Sequence, residues 1–264
     1  MKEQTDLLAA ENIKQEISTS RVENEQHPLG LSAGLHLLPG AIVFLVYMAV
    51  APLVMRWGFP ATFSLILCFL FIGIPIQLSI LYYQGKKRNG SFSLKGIVLY
   101  RNAKPYRQYL LILPMLAYAI VLSVLYEPVA TFLTGTVFSS LPGWFFEPST
   151  LPGTPLPQAL VLMFLIGVLI IDGIVNPVVE EMYYRGYLLP RISRFRGWAP
   201  ALNAVLFSVA HFWQPQNVLY LLLLVLPLYY LVWWRRNIYL SMATHSLANI
   251  IGALLLFGAY SGST

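Results

Sequence analysis

Two adjacent carboxylates, Glu180 and Glu181, lie beyond the apolar run 159–171 and are followed closely by Arg185. A charge at membrane depth costs several kcal/mol unless it is paired or faces water. Glu181 and Arg185 are spaced i,i+4 with the acid first, the favourable order for an ion pair within a helix. Glu180 is turned about 100° from Glu181. We therefore expect Glu181 to neutralise Arg185 and Glu180 to face a cavity.

Two other apolar segments carry histidines. His211 follows Phe207 by four residues and His245 precedes Asn249 by four, so each pair shares one helix face. A carboxylate beside an imidazole can act as a general base on water. An amide and a second imidazole can donate hydrogen bonds to the oxyanion of a tetrahedral intermediate. Together with Glu180, these residues suffice for peptide hydrolysis without a covalent intermediate.

The same residue types are also compatible with a metal. Glu180, His211 and His245 could supply three ligands to Zn²⁺ and leave a fourth position open for water. The sequence lacks His-Glu-x-x-His, the usual helical zinc signature. Hydrolysis with and without a bound metal therefore both stay open.

The composition places these residues in a membrane protein. Of 264 residues, 57% are hydrophobic and 11% charged, and the mean hydropathy is +0.65, whereas soluble domains carry about 25% charged residues. The net charge of +6 could suggest nucleic-acid binding, but membrane topology explains the basic residues. We predict an all-α, polytopic bundle around an intramembrane polar cavity, with a lipid bilayer and no nucleic acid as partner.

The bundle should contain seven membrane helices, or eight if the hydropathy window of about 19 residues misses one. The fifth segment is short, and we expect it to be tilted or partly buried in protein. The polar stretches 86–108 and 134–157 could each hold an interfacial helix. The segments are Leu37–Met55, Phe59–Tyr83, Tyr109–Leu133, Ala159–Leu189, Ala199–Phe212, Val218–Trp234 and Ile238–Phe257.

The basic residues predict the orientation. All of the 17 Lys and Arg residues except Arg56 fall in the tail or in connections on one side of the segments. The positive-inside rule then places the N-terminus in the cytoplasm. The four candidate catalytic residues would lie roughly 12 to 20 Å above the cytoplasmic helix ends, near the middle of a hydrocarbon core about 30 Å thick.

Three motifs therefore stand in order on three apolar segments: Glu-Glu-x-x-x-Arg at 180–185, Phe-x-x-x-His at 207–211 and His-x-x-x-Asn at 245–249. In these motifs the chain resembles the CPBP family of intramembrane proteases, which includes the CAAX prenyl endopeptidases and the bacterial Abi proteins. The resemblance covers residues 161–256. We divide the chain into a polar cytoplasmic tail (1–34), three helices with a basic cytoplasmic loop (35–157), a catalytic core (158–258) and a short tail (259–264).

The resemblance implies a membrane endopeptidase with a cavity open to the cytoplasm. By matching position, Glu180 would act with His211 on water, and His245 with Asn249 would bind the oxyanion. The family has been described both as metalloproteases and as glutamate-type proteases, so the zinc question stays open. The substrate would be a membrane-associated protein or peptide, and the short loops are typical of a plasma-membrane protein from a prokaryote.

Other polar residues receive structural interpretations. Glu181 and Arg185 would be supporting members of the site. Asp172 and Asn176 could line the cavity, but we expect them to satisfy backbone groups freed by Pro177, which removes one helical hydrogen bond. His27 and His36 lie outside the cluster and are expected to be incidental.

Two other functions use the same buried groups. A catalytically silent scaffold would keep the fold and regulate a partner such as a sensor kinase. A proton-coupled transporter would relay protons through buried Glu and His side chains. No repeat relates the two halves of the chain, although such repeats are common in transporters. Because all three motifs are intact, proteolysis is the leading interpretation.

Overall fold

The computed structural model describes residues 25–103, 105–146 and 157–261. Helices dominate these residues because long apolar segments in a bilayer must satisfy their own backbone groups. In chain order the helices are α1 (Leu29–Arg56), α2 (Ala61–Asn89), α3 (Tyr106–Gly135), α4 (Gly143–Phe146), α5 (158–198), α6 (Ala199–Val209), α7 (Val218–Arg235) and α8 (Ile238–Ser261).

Six helical stretches of the described residues are long and apolar enough to cross a membrane, which confirms the predicted polytopic bundle. The predicted fourth and fifth segments form one of these stretches, Gln158–Val209, and the chain bends within it at Arg196, where φ is 51° and ψ is −126°. After the bend, α6 has 11 residues and extends only about 16 Å. It packs mainly on α7 and α5, so the expectation that the fifth segment is short and partly buried in protein is confirmed.

The first helix begins earlier than the hydropathy predicts. α1 starts at Leu29 rather than Leu37. The small residues Gly30, Ser32 and Gly34 lower the hydropathy of these turns without preventing a helix. The early start matters because it brings two further turns of α1 against α5 and α6.

One end of the bundle, the basic end, gathers the α2–α3 connection, the α5–α6 bend and the α7–α8 junction. Backbone hydrogen bonds tie these connections together: Leu99 N donates to Gly186 O (2.8 Å) and Ile238 N donates to Tyr100 O (2.7 Å). The basic loop forms no interfacial helix over its described residues, because Ile97–Tyr100 is buried in the core instead. The described Lys and Arg residues of this end are Lys86, Lys87, Arg88, Lys95, Arg101, Arg107, Arg191, Arg194, Arg196, Arg235 and Arg236.

The opposite end, the aromatic end, holds the α1–α2, α3–α4 and α6–α7 connections. Here aromatic rings join the elements: Phe69 contacts Trp213 with centroids 5.3 Å apart, and Tyr47 contacts Trp144 at 5.8 Å. The second expected interfacial helix corresponds to α4, which lies at this end. Its Phe145 is only 1% exposed, so the ring packs into the bundle rather than into lipid alone.

Candidate active site

The two adjacent carboxylates face different partners. Glu180 ends a short α-helical stretch, and Glu181 begins a π-helical one, Glu181–Leu188. Such wide turns are frequent at functional sites. Both side chains are buried. Asn176 Nδ2 donates to Glu180 Oε1 at 3.2 Å, whereas Glu181 faces Arg185, as the i,i+4 spacing predicts.

Glu181 lies between a cation and an imidazole. Its Oε2 is 3.2 Å from Arg185 Nε, and its Oε1 is 3.0 Å from His245 Nδ1. The Arg185 guanidinium also lies 3.7 Å from the Tyr229 ring centroid and 4.1 Å from that of Phe207. Such cation–π contacts are favourable when the cation is desolvated. The sequence predicts the pair with Arg185 but not the contact with His245, which comes from a distant helix.

Hydrogen bonding defines which ring nitrogen of each histidine is protonated. Because an ionised carboxylate only accepts, the 3.0 Å contact requires the proton of His245 to lie on Nδ1. His211 Nδ1 lies 2.8 Å from Phe207 O, and a carbonyl also only accepts. Nδ1 is therefore the donor in both rings, and Nε2 is the nitrogen left for another partner.

The four predicted catalytic residues line one cavity of about 520 Å³. Glu180 comes from α5, His211 from the turn that follows α6, and His245 and Asn249 from α8. Three separate apolar helices of the C-terminal half thus contribute to one polar wall. The predicted intramembrane cavity is present, and the predicted residues converge on it.

Pro177 explains a hydrogen bond of Asn249. Proline has no N–H, and in a π-helical turn the carbonyl that it leaves unpaired lies five residues earlier, at Asp172. Asn249 Nδ2 donates to that carbonyl at 2.9 Å. The expectation that Asp172 and Asn176 satisfy the freed backbone is wrong, because Asn249 does so from α8. Asp172 and Asn176 line the cavity instead.

Comparison with known proteins gives a family match over the region that carries the three motifs. Residues 157–251 match the family model described as Type II CAAX prenyl endopeptidase Rce1-like. The predicted family resemblance is confirmed. This Rce1-like region contains all three motifs, and the match supports an intramembrane CAAX-type protease rather than the silent scaffold. No curated protein and no solved structure matches the chain.

The three side chains expected as zinc ligands lie on the cavity wall of the Rce1-like region. Among the described residues, no three His, Cys, Asp or Glu side chains are grouped so that they could hold one metal ion. Glu180, His211 and His245 share the cavity wall, but they do not form a group of this kind.

The cavity lies toward the aromatic end. Its wall includes Phe145 of α4 and Trp213 of the α6–α7 connection, and also Tyr47 and Phe69, which lie about two to three turns from the aromatic-end termini of α1 and α2. Between the cavity and the basic end, the bundle is filled by buried side chains that include Tyr183, Leu188 and Tyr229.

Helix α1, which lies outside the Rce1-like region, braces the site. His36 Nδ1 donates to Ser32 O (2.7 Å), and Asn203 Nδ2 donates to His36 Nε2 (2.8 Å) and to Tyr184 O (3.1 Å). The Tyr184 hydroxyl in turn donates to His36 O at 3.3 Å. His36 is fully buried and is not among the residues that line the cavity. It joins α1 to α5 and α6.

The sequence contained a signal for this contact. Ser32, His36 and Gly40 recur every four residues on an apolar helix, which is typical of a face buried against protein. All three are buried. A Cβ atom on Gly40 would overlap Ala210 O, so the backbones of α1 and of the turn that carries His211 are in direct contact.

His27 makes structural contacts with the end of α5. Its backbone N–H donates to Arg191 O at 2.8 Å, and its ring meets Tyr187 edge-on with centroids 5.8 Å apart. These contacts hold the chain just before α1 against the end of α5. His27 therefore belongs to the packing of the basic end and lies away from the cavity.

Proposed function

We propose that the chain is an intramembrane endopeptidase that hydrolyses a peptide bond in a membrane-associated protein or peptide. The observation that carries the proposal is the convergence of Glu180, His211, His245 and Asn249 on one cavity. Carboxylate, imidazole and amide groups at one wall are the set that water-mediated acyl transfer requires. The Rce1-like match supports the same reaction class.

Glu180 and His211 activate the water. His211 is held through Nδ1, so Nε2 accepts a hydrogen bond from a water molecule in the cavity. Glu180 Oε1 is held by Asn176, and the Glu180 carboxylate removes a proton from that water. The oxygen attacks the carbonyl carbon and forms a tetrahedral intermediate. Glu180 then delivers its proton to the nitrogen as the C–N bond breaks, and the products are a carboxylic acid and an amine, between which the remaining proton passes to give a carboxylate and an ammonium ion.

His245 and Asn249 stabilise the oxyanion. Because Nδ1–H of His245 is directed at Glu181, the ring can donate from Nε2 only as an imidazolium. The Glu181 carboxylate stabilises that charge through a charge-assisted hydrogen bond. Asn249 uses one N–H on Asp172 O and has a second N–H for the oxyanion. Glu181 thus acts through His245 as a positioning residue.

Cleavage of a peptide library by the detergent-purified protein tests the proposal. Glu180→Ala and His245→Ala should each remove cleavage, because one takes away the base and the other an oxyanion donor. Glu127→Gln is the matched control, since Glu127 is an exposed carboxylate on α3 whose hydrogen bond from Thr131 a Gln oxygen can still accept. Wild-type rates in both alanine variants would refute the assignment.

Removal of metal ions distinguishes hydrolysis with a bound metal from hydrolysis without one. After dialysis against a strong chelator and metal analysis of the protein, we expect cleavage to persist at the rate measured before dialysis. The reason is that the described His, Cys, Asp and Glu side chains are not grouped as metal ligands. Loss of activity that returns with Zn²⁺ alone would contradict the metal-free mechanism.

A further inference from the structure

The position of the cavity identifies the direction from which a substrate arrives. Its lining residues come from the middle parts of the helices, including His245 seven residues after the start of α8, and from the α6–α7 connection, where Gln214, Gln216 and Asn217 lie. No cavity-lining residue belongs to the α2–α3 connection or to the α7–α8 junction. Among the described connections, those that contribute lining residues all belong to the aromatic end.

A packed layer closes the other direction. Arg185 is 1% exposed and lies among Glu181, Phe207 and Tyr229. Below it, toward the basic end, Leu188, Leu189 and Ile192 belong to one buried cluster. Protein interiors of this kind are close-packed, without passages for a polypeptide. A peptide could reach Glu180 from the basic end only if this core were opened.

The distribution of charge gives the two ends different sides of the membrane. The connections of the aromatic end, residues 57–60, 136–157 and 210–217, contain no Lys or Arg. The basic end, counted with the helix turns that adjoin its connections, contains most of the Lys and Arg residues of the chain, whereas Arg56, the last residue of α1, adjoins the aromatic end. Because short cytoplasmic loops are enriched in Lys and Arg, the basic end is cytoplasmic and the aromatic end faces the opposite side.

We propose that the cavity is entered from the non-cytoplasmic side and that the substrate is a peptide segment exposed there, on a translocated protein or peptide. The substrate part of this inference rests on the proposed proteolysis. It differs from the cytoplasmic access that the family resemblance implies.

Two side chains in the wall have the chemistry to receive such a segment. Asn176 Oδ1 and Gln216 Oε1 are buried and make no hydrogen bond to the described part of the chain, and both residues line the cavity. Buried acceptors without a partner are costly, and backbone N–H groups of an extended peptide would satisfy them. One acceptor is adjacent to Glu180 and the other lies toward the aromatic end, so an entering peptide would meet them in succession.

Cysteine labelling in spheroplasts tests the direction of access. The chain has one cysteine, Cys68, which is buried, so Cys68→Ala provides the background. Into it we would introduce Gln214→Cys at the cavity, Ser139→Cys at the aromatic end or Lys87→Cys at the basic end. A membrane-impermeant maleimide should label the first two in intact spheroplasts and the third only after permeabilisation.

Two outcomes would overturn the proposal. In one, Gln214→Cys stays unlabelled in intact spheroplasts while Ser139→Cys is labelled. In the other, Lys87→Cys is labelled in intact spheroplasts, which would place the basic end outside. Because labelling needs no catalysis, peptide cleavage by the purified protein is a separate readout. Failure of cleavage would refute the proteolysis, whereas cytoplasmic labelling with intact cleavage would refute the direction of access alone.

Discussion

Buried polar side chains have different surroundings toward the two ends of the bundle. Toward the basic end, Arg185 is enclosed by a carboxylate and by aromatic rings. In the cavity, the hydrogen bonds that His211 and His245 make to the described part of the chain are both through Nδ1. A buried cation that is enclosed by other side chains stabilises one structure. An imidazole that is hydrogen-bonded through one ring nitrogen can bind a further partner through the other. Glu181 links the two ends, because it contacts Arg185 and His245 at once.

Substitution of Glu180 should give the largest effect and separate activity from stability. Glu180→Gln keeps the shape and the hydrogen bond from Asn176 but removes the base. Loss of a general base lowers rates by about 10²- to 10⁴-fold. We expect a loss of this size in kcat with no decrease in the thermal unfolding temperature. A large fall in that temperature would show that Glu180 belongs to the structural set instead.

Substitution of Arg185 should give the opposite result. Arg185→Met keeps an apolar stem in the aromatic cage but leaves Glu181 as a buried carboxylate without its cation. Removing one partner of a buried ion pair costs about 3–5 kcal/mol, and denaturant unfolding in detergent measures it. Arg235→Met is the control, because this residue lies at the periphery of the basic end, 4.4 Å from the Trp234 ring centroid. Equal losses in the two variants would contradict the role of the enclosed pair.

Spacing predicted contacts within one helix but not contacts between helices. The i,i+4 pattern predicts the Glu181–Arg185 pair, and three ordered motifs predict the convergence on a cavity. The contact between Glu181 and His245 and that between Asn249 and Asp172 O join distant segments, and no local pattern encodes them. Hydropathy gives the depth of a residue but not the end at which the bundle is filled. For this reason the position of the cavity along the bundle could not be predicted from the sequence.

Disruption of the close contact between α1 and the turn that follows α6 should lower activity and stability by a smaller amount. Gly40→Val places a Cβ atom against Ala210 O, so the turn that carries His211 must move. Overpacking of this kind costs about 1–3 kcal/mol, and kcat should fall together with stability. Gly34→Val on the same helix is the matched control, because nothing lies within 4 Å of its Cβ position. Identical behaviour of the two variants would exclude α1 as a support of the site.

The smallest effect concerns the basic end at low pH. Burial first, and then the positive charge of Arg191, lower the pKa of His27 to about 4 from its usual 6.5. The imidazole of His27 therefore binds a proton near pH 6.5 in the unfolded chain but only near pH 4 in the folded chain. The free energy of unfolding that His27 contributes is complete above pH 6.5 and declines as the pH falls from 6.5 to 4. Unfolding measured from pH 7 to pH 4 should show the decline, and His27→Gln should reduce it by about 1 kcal/mol, since part of the ring contacts solvent. An unchanged profile in this variant would show that His27 does not couple protonation to the packing of the basic end.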